Sequence, residues 1–118
     1  MKQFAIWKVK DREYKLKLKT SAVCQLEDKL KCNLLNLVDG VPPLSTMLLV
    51  THAAMKDWEH GIKFTEVQDL FDEYCEDGGS QTDFMTDIFL EIYSVSGFFS
   101  QAQSEAISEK MAEAKEQK

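Results

Sequence analysis

The tightest constraint on this chain is a change of hydrophobic period at Thr20. Before it, Ala5, Trp7 and Val9 alternate with polar or outward positions, and so do Tyr14, Leu16 and Leu18. That is the repeat of strands with one buried face. After it, apolar residues recur at every third and fourth position, the repeat of amphipathic helices. The switch predicts a mainly α (α+β) fold, with an N-terminal β-hairpin packed on a compact bundle of about four helices. Residues 2–9 and 13–19 read as the two strands, around a two-residue turn at Asp11-Arg12. This register pairs Val9 with Tyr14, Trp7 with Leu16 and Ala5 with Leu18, and puts all six on one face. The other face carries Phe4, Ile6, Lys8, Lys15, Lys17 and Lys19. A lone hairpin is marginal in water, so the apolar face must lie on the helices.

The helices are punctuated by caps and breakers. Thr20 reads as the N-cap of the first, with Val23, Leu26 and Leu30 buried and Cys32-Asn33 at its end. Leu34, Leu35, Leu37 and Val38 form a short apolar turn, stopped by Asp39-Gly40. Pro42 and Pro43 are non-helical, and Pro43 or Leu44 opens the second helix. Its stripe is Leu44, Met47, Leu48, Thr51, Met55 and Trp58, ending at Gly61. Thr65 with Gln68 reads as a capping box for the third helix, whose buried face is Val67, Leu70, Phe71 and Tyr74. Gly78-Gly79 end it, and Ser80 caps a fourth. Phe84, Met85, Ile88, Phe89, Ile92 and Val95 cover much of that helix, which makes it the central one, and Gly97 breaks it.

At 118 residues the chain is one domain. Residues 1–99 are expected to be globular, with the hairpin in 1–19 and the helices in 20–99. Residues 100–118 are expected to form a helical or frayed tail, with a thin stripe of Ala102, Ala106, Ile107 and Met111. No apolar run approaches the roughly 18–20 residues of a membrane span, and residues 1–19 lack the apolar block of a signal peptide. Three cysteines, Cys24, Cys32 and Cys75, form no CxxC pair and fit reduced thiols in the cytoplasm.

Charge is strongly segregated. Residues 1–19 carry net +5, residues 20–64 net −1 and residues 65–118 net −10. The acidic body argues against nucleic acid as a partner. The basic arm suits an acidic partner or the acidic half of a second copy. An aromatic and basic strand face can also bind single-stranded nucleic acid, but edge lysines equally prevent strand aggregation. The protein-facing or solvated reading is the stronger.

No constellation points to catalysis. The cysteines fall on or beside helices, with no His in a motif that would activate them. His52 and His60 are eight apart and lack the spacing of a helical zinc site. The acidic run of Asp72, Glu73, Glu76 and Asp77 fails the EF-hand pattern in either register. Phosphate-loop, dinucleotide and nucleophile-elbow motifs are absent from the sequence. The expectation is a protein that is not an enzyme and needs no metal or other cofactor.

Several short phrases in fixed order carry a resemblance. They are Leu16-Lys17-Leu18-Lys19-Thr20, Leu26-Glu27-Asp28-Lys29-Leu30, the proline-led helix from Pro43 to Trp58, and Gly61-Ile62-Lys63-Phe64-Thr65. Asp72-Glu73-Tyr74 with Gly78-Gly79, and Val95-Ser96-Gly97-Phe98-Phe99, complete the set. Over residues 14–99 the chain resembles the tail assembly chaperones of long-tailed phages (siphophages) and prophages of Gram-positive bacteria. It departs from that pattern at Lys31-Cys32-Asn33-Leu34, where family members often carry Gly-Gly-Asn-Pro.

The resemblance implies a non-catalytic protein that binds the tape-measure protein, keeps it soluble and helps recruit tail-tube subunits. It implies action in the cytoplasm of the infected or lysogenic host, absence from the mature virion, and often a longer frameshifted form. A generic helical adaptor of a bacterial or prophage complex is the alternative, and a nucleic-acid-binding factor the weaker one. Two candidate partner-binding surfaces follow from the residues themselves. One is the hairpin face with Phe4, Ile6, Lys15 and Lys17. The other is the segment with Phe98, Phe99, Ala102, Ala106, Ile107 and Met111, where Gly97 supplies a hinge and a partner helix or second copy completes the burial. The competing reading of Phe98 and Phe99 is that they cap the core.

Overall fold

The computed structural model describes residues 3–99. Strands β1 (Ala5–Val9) and β2 (Arg12–Leu16) form a two-stranded antiparallel sheet. The turn is Lys10-Asp11 rather than Asp11-Arg12, and the rungs are Ala5 with Leu16, Trp7 with Tyr14 and Val9 with Arg12. Tight hairpin turns need a backbone with positive φ to match the strand twist. Lys10 supplies it at φ 56°, where Gly or Asn would be usual. Each β1 residue therefore pairs two positions earlier than the sequence suggested. An even shift leaves the faces unchanged, so Ala5, Trp7, Val9, Tyr14, Leu16 and Leu18 are all buried as expected. Beyond Leu16 the backbone turns to the helices. Lys17 N–H donates to the Ala54 carbonyl at 3.0 Å, and Leu18 N–H to Ser96 Oγ at 2.9 Å.

Helix α1 (Thr20–Leu30) starts one residue earlier than expected. Lys19 is the N-cap and Thr20 the first helical residue, so the Thr20 hydroxyl caps nothing. Leu26 is buried, while Val23 and Leu30 are half-buried. Lys31 closes the helix in the left-handed region at φ 57°, with its N–H on the Glu27 carbonyl at 2.8 Å. Asn33 then opens a 3-10 turn (Leu34–Asp39) by accepting from Leu35 N–H at 3.0 Å. Glu27 accepts from Leu34 N–H at 3.0 Å, tying that turn to α1.

Helix α2 (Leu44–Met55) is buried on more than one side, through Met47, Leu48, Val50, Thr51, Ala54 and Met55. The Thr51 hydroxyl satisfies itself on the Met47 carbonyl at 2.8 Å. The helix stops at Met55, short of Gly61, so Trp58 leaves the expected stripe. Helix α3 (Phe64–Glu76) has Lys63, not Thr65, as its N-cap. Glu66 accepts from Lys63 N–H at 3.4 Å. A lysine side chain has no acceptor to complete a reciprocal box. Val67, Leu70 and Phe71 are buried and Tyr74 half-buried.

Ser80 caps the last helix, accepting from Asp83 N–H at 3.1 Å. This helix, α4, consists of Gln81–Phe84, a π-helical turn (Met85–Phe89) and Leu90–Val95. Leu90 N–H reaches back to the Met85 carbonyl, five residues earlier. Phe84, Ile88, Phe89, Ile92 and Tyr93 are buried, so α4 supplies much of the core, as its apolar girth implied. The hairpin meets it through Trp7, whose ring packs edge-on to Phe84 at 5.1 Å and to Tyr74 at 6.0 Å. The fully buried Trp7 Nε1 has no hydrogen-bond partner among the described residues. Packing, not a side-chain hydrogen bond, holds the indole.

Candidate functional site

The outer face of the hairpin gathers the residues that the sequence marked there. Ile6 and Lys15 are direct cross-strand partners. The Lys15 ammonium lies over the Phe4 ring, 4.9 Å from its centroid, a contact worth about 0.5–1 kcal/mol at an exposed site. Phe4 in turn packs edge-on to Trp58 at 5.9 Å. Ile6 is 46% exposed and Trp58 38%. Two large apolar side chains therefore stay in water beside a half-buried phenylalanine.

Trp58 was missed at the level of sequence because it fits the 3.6-residue stripe of α2. The local backbone explains its exposure. Trp58 and Glu59 N–H groups both fold back on the Met55 carbonyl, at 3.0 and 2.9 Å, and Gly61 turns the chain at φ 78°. His52 staples this loop to α2. Its Nε2 lies 2.7 Å from the Ile62 carbonyl. A carbonyl only accepts, so Nε2 is the N–H donor. His52 is thus a satisfied structural histidine, and its ring edges against Phe64 at 6.0 Å.

Lys17 leads away from the aromatic patch. It is half-buried and helps wall a groove of about 380 Å³ between α1 and α2. Lys19, Lys29 and Lys56 also line this groove, together with Ala22, Leu26, Leu49 and Ala53. Lys19 pairs with Asp57 at 3.4 Å. At the other end of the hairpin, Arg12 and Lys10 reach Glu73 and Glu76 of α3, each at 3.5 Å. Part of the basic arm thus meets the acidic half of its own chain. These exposed pairs steer packing more than they stabilise it.

The second candidate surface divides at the edge of the described residues. Gly97 turns the chain at φ 85°, and Phe98 and Phe99 lie over buried Tyr93, with ring centroids at 4.5 and 6.1 Å. Both are half-buried, so the pair covers the core while keeping an exposed edge. Ala102, Ala106, Ile107 and Met111 lie outside the described residues.

Cys24 and Cys75 are exposed and Cys32 is half-buried. The Cys75 thiol is pushed above its ordinary value, by desolvation first and by Asp72 second, the opposite of an activated nucleophile. Among the described residues, no group of three His, Cys, Asp or Glu side chains is placed to hold a metal ion. No described helix is long and apolar enough to cross a membrane.

Fold and surface together define a small α+β protein, in which a hairpin packed on helices presents an aromatic and basic face. The chain belongs to DUF6096, a family of unknown function whose pattern matches residues 2–117. No curated protein and no solved structure matches it.

Proposed function

We propose that this protein is a non-catalytic assembly factor, a phage tail assembly chaperone whose client is the tape-measure protein. The observation that carries the reading is the exposed apolar cluster of Ile6 and Trp58, with Phe4 and Lys15 beside it. An apolar patch rimmed by charge is the surface of a protein that covers another protein's apolar segments. The ordered phrases of residues 14–99 supply the phage setting. In that setting the protein acts in the host cytoplasm, helps recruit tail-tube subunits and leaves before the virion matures. Its net charge of −6 helps keep the complex in solution.

Co-expression with the tape-measure protein of the same locus tests this. The wild-type chain raises the client's soluble fraction and is recovered with it. Ile6→Asp combined with Trp58→Asp abolishes recovery while the chain itself stays folded. Failure of the wild-type chain to solubilise or retain its cognate client refutes the proposal. A second reading, single-stranded nucleic acid on the same face, draws on the lysine and ring pairing at Phe4. A salt-sensitive gel shift would favour it over the chaperone.

A further inference from the structure

The groove between α1 and α2 has the same pattern on both walls. Ala22, Leu26 and Lys29 follow at spacings of four and three along α1. Leu49, Ala53 and Lys56 repeat those spacings along α2 and its C-cap. Such spacings put each trio on one face of its helix. Leu26 is buried, and Ala22, Leu49 and Ala53 are half-buried, so apolar side chains line both walls. Each trio spans about 10 Å, or two turns of a helix.

Charge sets this groove apart from the rest of an acidic chain. Four lysines, Lys17, Lys19, Lys29 and Lys56, line it with one carboxylate, Asp57, whereas the whole chain carries net −6. Asp57 pairs with Lys19 at 3.4 Å. No described carboxylate pairs with Lys17, Lys29 or Lys56. Held close together, like charges raise one another's energy unless an anion comes between them. The described lining has no phenylalanine, tyrosine or tryptophan on which a base could stack, which disfavours single-stranded nucleic acid. Apolar side chains between two helices, rimmed by lysines, complement a third helix that is apolar on one face and acidic beside it.

We propose that this groove docks an acidic amphipathic helix of a partner protein. Its apolar residues lie between Leu26 and Leu49, and its carboxylates meet Lys17, Lys29 and Lys56. The lining includes neither Ile6 nor Trp58. The contact is therefore separate from the exposed aromatic cluster and does not depend on the chaperone reading.

Backbone-amide NMR of the full chain, titrated with synthetic peptides, tests the docking. The probe is a helical peptide with leucines at spacings of four and three and glutamates beside them. One control carries lysine for every glutamate, and another keeps the composition in scrambled order. The acidic peptide should move the amides of Ala22, Leu26, Leu49 and Ala53 and bind at least about tenfold more tightly than either control. Lys29→Glu with Lys56→Glu should weaken that binding by about tenfold and transfer the preference to the lysine peptide. Both lysines are exposed, so the thermal transition should stay where it is. The proposal is overturned if the acidic peptide binds no better than the controls, or if its shifts centre on Ile6 and Trp58. A single-stranded oligonucleotide of equal charge that binds the groove more tightly than the peptide also overturns it. So does a double variant that, with no peptide added, shifts the amides of residues 100–118, since the groove would then serve the chain itself.

Discussion

Replacing Tyr93 by Phe removes one oxygen from the centre of the molecule. Tyr93 is fully buried, and its hydroxyl donates to the Leu34 carbonyl at 2.7 Å across 59 residues of sequence. The ring packs on Phe89 at 5.0 Å and on Phe98 at 4.5 Å, and phenylalanine keeps those contacts. What is lost is a hydrogen bond whose acceptor belongs to a fully buried residue. Leaving such an acceptor unpaired costs about 1–3 kcal/mol. For a domain of this size each kcal/mol lowers Tm by about 4–8 °C. Urea unfolding should show the same loss with an unchanged m-value, because no additional surface is exposed. The substitution has a second signature at high pH. Desolvation, then the charges of Cys32 and Glu27, hold the Tyr93 phenol well above its ordinary value of 10.0. Above that value the unfolded chain releases a proton that the native chain keeps, so stability falls as pH rises. Tyr93→Phe should flatten that fall. A loss below about 0.3 kcal/mol, smaller than a typical buried hydrogen bond, with an unaltered alkaline slope would refute the assignment of Tyr93 as the link between α4 and the 3-10 turn.

Two other substitutions probe the same frame. Phe89→Ala should destabilise by about 3–5 kcal/mol and Ile88→Ala by about 2–5 kcal/mol in chemical denaturation, since both side chains are buried in the core. The Tyr74 phenol is pushed up to about 12 by desolvation first and then by Asp83 and Asp87. Tyr74→Phe should therefore remove part of the stability loss that the wild type shows between pH 10 and 12, read as Tm against pH.

The hairpin shows what a sequence states and what it withholds. Alternation names the buried face, because a side chain's face depends only on whether its position is odd or even along the strand. It does not name the turn, because registers two residues apart bury the same six side chains. Lys10 in the left-handed region decides between them, and nothing in a lysine advertises that conformation. The caps show a related ambiguity. Ser80 reads and behaves as an N-cap, whereas Thr20 and Thr65 sit one and two residues past the capping positions, which fall on Lys19 and Lys63. Threonine in the first turn and threonine at the cap look alike in a string of letters. On the candidate surface, Phe4, Ile6 and Lys15 were legible from strand parity. Trp58 was not, because its spacing from Met55 fits a helix that the backbone ends three residues sooner.

The π-helical turn at Met85–Phe89 sets the rotational phase of the two halves of α4. Phe84 and Tyr93 are nine residues apart, which on an uninterrupted α-helix places them about 180° from each other. One extra residue absorbed in a π turn brings that angle down to about 80°. Phe84 can then face Trp7 while Tyr93 faces Leu34 from the same broad side of the helix. At this length, the π turn is therefore what holds both anchors on that side. Straightening the turn at the present length would swing the two anchors to about 180° from each other, whereas a one-residue deletion between Met85 and Phe89 would leave a regular α-helix with the same angle of about 80°. Many side-chain exchanges there would leave the phase, and with it both anchors, in place.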